Sequence, residues 1–203
     1  SAPATLTMID ITIPTIVTAP SDHTVYEGGT ANFAVEAEGS ANLTYQWQFN
    51  GADLPGATGR TLAVANVQVA NQGSYLVKVS SEAGTTISPA AQLTVIVPPA
   101  NTYAAIVMAD RPAAYWRLGE TGSAIALDYA GGYDGLYLDG AVQGQPGALK
   151  DDADTAAGFD GFSGMVEVPH AAALNGAQHT IECWAKVGGG SGFYRSPLTS
   201  RAE

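Results

Sequence analysis

Apolar and polar residues alternate with period two through most of the first half of this chain, the signature of strands with one buried face. Ala31-Asn-Phe33-Ala-Val35-Glu-Ala37 reads as one strand that buries Phe33, Val35 and Ala37. Leu43-Thr-Tyr-Gln-Trp47-Gln-Phe-Asn-Gly51 reads as a second, ended by an Asn-Gly turn. Arg60 to Val67 gives another. Tyr75 to Ser80 and Thr85 to Val97 predict a final hairpin closed by Glu82-Ala-Gly84. Ahead of these, Pro14 to Pro20 reads as a leading edge strand, its prolines placed where no ladder donor is needed. Thr24-Val-Tyr-Glu-Gly-Gly29 reads as a strand that stops at a tight turn. Strands at this spacing predict an all-β sandwich.

The pattern changes after Pro98-Pro99, a stiff junction. Tyr103 to Asp110 predicts a short helical turn, and beyond it short apolar strands are separated by Gly and Pro. The Thr180 to Lys186 segment alternates so that Ile181, Cys183 and Ala185 share a face, which predicts a core-facing thiol. Residues 1–9 match residues 88–96 at Ser, Ala, Leu, Thr and Ile. That repeat predicts that residues 1–12 are the terminal strand of a preceding module, followed by modules at 13–98 and 101–203.

Composition narrows the function classes. The 203 residues are 46% hydrophobic and only 13% charged, with 24 Gly and 11 Pro. This fits ordered domains rich in short strands and turns, not disorder. A net charge of −11 without a basic patch argues against nucleic acid or an anionic membrane as partner. No apolar run approaches the ~18 residues of a membrane span. The N-terminal residues lack a secretion signal's basic and apolar regions, so the expectation is that any such signal lies upstream or is absent. With a single cysteine, Cys183, no intrachain disulfide forms.

The lone Trp47 strand, followed by Gly73-Ser-Tyr75-Leu-Val77, resembles the core of an immunoglobulin-like sandwich. The resemblance implies that Tyr75 ties a corner through its hydroxyl. It also implies that Val35 and Val77 occupy the positions a disulfide would join, as in disulfide-free members from bacterial surface proteins. Trp47, Tyr75, Val35 and Val77 are thus the expected structural residues, and a rigid spacer is the expected role. Asn42-Leu-Thr44 is a lone glycosylation sequon.

Beyond the junction come Tyr115-Trp116-Arg-Leu-Gly-Glu120, Asp128-Tyr-Ala-Gly-Gly132, Pro146-Gly-Ala, Phe159-Asp-Gly161, Val166-Glu-Val-Pro169 and Thr180-Ile-Glu-Cys-Trp184. This order resembles the laminin-G-like jelly roll of the concanavalin A-like lectin and glucanase superfamily. The expected fold class is therefore all-β: an immunoglobulin-like sandwich plus a partial concanavalin A-like jelly roll, incomplete at its C-terminus.

Such jelly rolls bind carbohydrate or protein, frequently with calcium, and calcium takes six to eight oxygens. Asp128, whose neighbouring glycines free backbone carbonyls, and Asp160 are the candidate metal residues; Asp151, Asp152 and Asp154 come next. The competing reading makes them solvated turn aspartates. The related glucanases carry paired glutamates on one strand, whereas Glu120, Glu167 and Glu182 fall on separate strands. His23, His170 and His179 have no metal spacing and are expected at the surface. Trp116 and Trp184 are expected to pack in a core rather than stack on sugars.

Together these features predict an extracellular, non-catalytic, modular surface protein for adhesion or recognition of a carbohydrate or protein ligand. The alternatives are a filament subunit, completed by copies of itself through residues 1–9 and 187–203, and a carbohydrate-binding region of a secreted hydrolase.

Overall fold

The computed structural model describes residues 11–39, 42–149 and 153–186. The repeat at 1–9, Asp151, Asp152 and the 187–203 tail lie outside them. Two compact units result. The first runs to Tyr115 and takes in Tyr129–Gly132; the second comprises Trp116–Asp128 and the chain from Tyr133 onward.

The first unit holds β1 (Thr15–Thr18), β2 (His23–Tyr26), β3 (Ala31–Ala34), β4 (Glu36–Glu38) and β5 (Thr44–Phe49), followed by β6 (Ala52–Asp53), β7 (Thr61–Val64), β8 (Gly73–Ser81), β9 (Gly84–Ile87) and β10 (Ala91–Ile96). One layer pairs β3 with β7 and β1 with β4. The other runs β2-β10-β8-β5-β6, with β9 also on β8. All these pairings are antiparallel except β10 on β2, which is parallel with Leu93 opposite His23.

Alternation sets the core. On β8, Tyr75, Val77 and Val79 are buried and the residues between them are not. Trp47 on β5 stands opposite Val77 and is 0% exposed. Phe33 from the other layer stacks on Tyr75 at 4.7 Å and lies 6.1 Å from Trp47. An aromatic cluster of this size supplies much of a small domain's apolar burial, and truncating such a ring to alanine costs about 3–5 kcal/mol. The buried Trp47 indole donates to Gly59 O at 3.0 Å, so its one polar atom is satisfied. At the β5–β6 turn Asn50 and Gly51 both take positive φ, 47° and 84°. This is the conformation for which a two-residue hairpin selects Asn-Gly.

Two strands expected to be continuous are interrupted. Ala31–Ala37 breaks at Val35, whose N–H donates to Arg60 O while the strand changes partner from β7 to β1. Thr85–Val97 breaks at Ser88-Pro89, because proline has no ladder donor. Ser88 repairs the gap: its N–H donates to Val77 O, and its hydroxyl oxygen accepts from Val77 N. The helical turn forms as α1 (Tyr103–Ala109), capped by the Thr102 hydroxyl, which accepts from Ala105 N.

The second unit contains β11 (Ile125–Ala126), β12 (Gly135–Tyr137), β13 (Ala141–Pro146), β14 (Thr155–Phe159) and β15 (Val166–Glu167). A three-stranded sheet, β11-β12-β15, and a β13–β14 hairpin make up its regular structure. Gly144, at φ 71°, sits where the hairpin register shifts. The strand expected over Thr180–Lys186 is not formed: no described strand pairs with it, and its residues are exposed. Cys183 is consequently exposed rather than core-facing. Trp184 is 67% exposed, which corrects the core packing expected of it.

Candidate functional site

The candidate chemistry lies in the carboxylate-bearing turns. In the second unit, Asp128 follows β11 and is fully buried. Its Oδ2 accepts from Tyr133 N at 2.9 Å, and its own N–H donates to Asp134 Oδ1 at 2.8 Å. It forms an isolated bridge with Trp116, whose indole donates to Tyr133 O at 2.9 Å. A buried carboxylate is tolerable only with such partners, so Asp128 closes the ends of its own loop.

The glycines after Asp128 have a different use from the one expected. In the first unit, Tyr129–Gly132 presents three successive carbonyls to the β2–β3 region. Tyr26 N donates to Tyr129 O at 2.8 Å, Thr30 N to Ala130 O at 2.6 Å, and Asn32 Nδ2 to Gly131 O at 2.7 Å. Ala130 is buried and Tyr129 packs on Tyr26 at 4.9 Å. Gly29 makes the approach possible: a Cβ there would lie 2.8 Å from Ala130 O. Gly132 takes φ 71°, and a Cβ on it would reach Thr30 O at 3.1 Å. The sequence marks Gly29 only as part of a turn and does not single out Asn32. Their partners are about a hundred residues away, and no local pattern announces them.

Asp160 organises the turn after β14. One oxygen accepts from the N–H groups of Phe162, Ser163 and Gly164 at 2.8, 3.0 and 2.8 Å; the other accepts from the Ser163 hydroxyl at 2.9 Å. These donors, the Phe162 and Gly164 amides foremost, hold the carboxyl far below the usual range. Phe162, at 96% exposed, rides on the turn.

Three further acids are similarly engaged. Glu120 accepts from Leu127 N at 3.1 Å and from the Tyr137 hydroxyl at 2.6 Å. Asp154 pairs with Arg117 at 2.6 Å. Asp53 accepts from Gln48 and Lys78, and these contacts, Gln48 first, lower its pKa. Glu167 and Glu182 are exposed, on separate segments. Among the described residues no three His, Cys, Asp or Glu side chains gather as a metal site. Asp128 and Asp160 each turn oxygens to N–H donors, and the carbonyls beside Asp128 accept from protein donors. That donor set does not fit the six to eight oxygens of calcium.

Of the histidines, His170 and His179 are exposed, but His23 is only 7% exposed and meets the Phe33 ring edge-on at 5.0 Å. The surface position expected for His23 is therefore corrected: alternation along β2 turns its ring inward with Val25. The four structural residues lie together in the first unit's core. Val35 is 3% exposed, and Trp47 and Val77 are 0%. The Tyr75 hydroxyl donates to Asn71 O at 2.9 Å, closing the corner ahead of β8. Burial pushes its phenol pKa up.

Comparison with known proteins bears on the first unit. Residues 13–81 match the family model described as immunoglobulin domain. Among solved structures, titin domain M7 is 26% identical, covering 44% of this chain and 100% of its own, with a TM-score of 0.41. The tandem Ig repeats of Dlar are 23% identical, covering 41% of this chain and 48% of that one, with a TM-score of 0.39. No curated protein matches the chain. Among the described residues no helix is long and apolar enough to cross a membrane. The first ~80 residues thus contain an immunoglobulin-like domain.

Proposed function

We propose that this chain belongs to an extracellular, non-catalytic protein of modular type that acts in adhesion or recognition. In this reading the immunoglobulin-like sandwich is a rigid, disulfide-free carrier and the second unit is laminin-G-like. The observation that carries the proposal is how the carboxylates are used. Asp128, Glu120, Asp154 and Asp160 are engaged with backbone, tyrosine or arginine partners of their own unit. Acids so engaged hold turns in place; a hydrolase needs a pair left free to exchange protons with substrate. Recognition then falls to exposed surface, including Phe162, which a rigid turn holds in solvent.

Beads coated with the 203-residue chain test this. They are offered immobilised glycans and extracellular-matrix proteins, alongside beads coated with the Phe162→Ser variant. Retention on at least one surface, reduced in the variant, is expected. No retention on any surface, or hydrolysis of an offered glycan, would overturn the reading.

A further inference from the structure

Beside β1, β4 and β5 the first unit carries an open groove lined by Ile13, Thr15, Glu38, Leu43, Tyr45 and Arg60. We propose that this groove is a docking site for an extended, acidic segment of another protein, whose carboxylate pairs with Arg60. Three observations meet there.

Arg60 is exposed and makes no ion pair among the described residues, in a chain where 19 acidic residues face 8 basic ones. Its guanidinium lies over the Tyr45 ring, 5.9 Å from the centroid, which orients the fork without using its N–H donors. Tyr45 is 8% exposed, yet its hydroxyl has no hydrogen-bond partner among the described residues. A buried, unsatisfied hydroxyl is unusual enough to need a cause, and a ligand acceptor supplies one.

The chemistry of the lining selects the occupant. Arg60 covers the Tyr45 face, so that ring is not free to stack on a sugar. Glu38, in the same groove, repels a simple anion but accepts backbone N–H groups, which a polypeptide offers beside its carboxylate. Ile13, at 58% exposed, gives an apolar side chain something to cover. Carboxylate, N–H donors and an apolar neighbour together describe an acidic peptide. This places recognition on a unit whose expected role was only that of a spacer.

The test is a heteronuclear NMR titration of the 15N-labelled 203-residue chain with two capped pentapeptides, Ser-Leu-Asp-Leu-Ser and its Asn counterpart. The Asp peptide is expected to move the Ile13, Tyr45 and Arg60 amide signals. The Asn peptide is expected to do so at least tenfold more weakly. Arg60→Gln, a change at an exposed side chain, abolishes the difference, and Tyr45→Phe weakens binding without loss of fold. Absent shifts, equal shifts with both peptides, or shifts that persist in Arg60→Gln would overturn the proposal. So would inorganic sulfate moving the same signals equally, or concentration-dependent broadening without peptide, which would make the occupant a second copy.

Discussion

Replacing Gly29 with alanine separates two effects of opposite sign. Gly29 does not occupy the left-handed region, so alanine suits its backbone. On that ground alone the change would stabilise by about 0.4–1 kcal/mol, through a less flexible unfolded chain. Against this, the new Cβ would stand 2.8 Å from Ala130 O, 3.0 Å from Tyr26 O and 3.2 Å from Tyr129 O. All three are backbone atoms, and relief of the Ala130 and Tyr129 contacts requires Tyr129–Gly132 to move away. The carbonyl contacts to Tyr26 N, Thr30 N and Asn32 Nδ2 then go with it. At about 0.5–1.5 kcal/mol each, the loss of the three is about 1.5–4.5 kcal/mol. The net result is destabilisation of about 0.5–4 kcal/mol. Urea unfolding of the whole chain measures the total, and amide exchange at Tyr26 and Thr30 identifies its source. Both amides should lose protection in Gly29→Ala. Asn32→Ala should be less than additive with it, because the two act through the same turn. A stabilised variant with both amides still protected would refute the argument.

The Tyr75 hydroxyl bond to Asn71 O predicts that Tyr75→Phe lowers stability by about 1–2 kcal/mol. Calorimetry should then show a melting temperature lower by about 4–8 °C per kcal/mol; an unchanged melting temperature would count against the corner. Asp160 has a depressed folded-state pKa, so the order it gives its turn is fully present above the ordinary carboxylate value of 3.8. That order is lost only as pH falls through the lower, folded value. The Phe162, Ser163 and Gly164 amide shifts should titrate well below 3.8, and a midpoint at 3.8 would contradict the geometry. Millimolar calcium should leave the melting temperature unchanged. A rise of several degrees, lost in Asp128→Asn, would instead make Asp128 a calcium ligand.

The immunoglobulin-like core was legible because its information is local. Trp47, Tyr75 and Val77 sit on alternating strands, and Asn50-Gly51 is a turn that only a few dipeptides favour. The break at Val35 was not legible, since it marks a strand exchanging β7 for β1, which period two does not encode; the break at Ser88-Pro89 keeps β8 as its neighbour on both sides and follows from the proline. For the glycines after Asp128, sequence supplied the correct freedom and the wrong use. Free carbonyls suit a metal and a peptide N–H equally, and only folding brings Tyr26, Thr30 and Asn32 to them. Alternation failed outright over Thr180–Lys186, where Cys183 and Trp184 are exposed and no described strand pairs with the segment.

The proposed role rests most heavily on where the protein is displayed. Antibody raised against residues 13–98 and applied to intact cells of the source organism, before and after trypsin treatment of their surface, tests this directly. The account predicts label on intact cells that trypsin removes. Label that appears only after the cells are made permeable would contradict it.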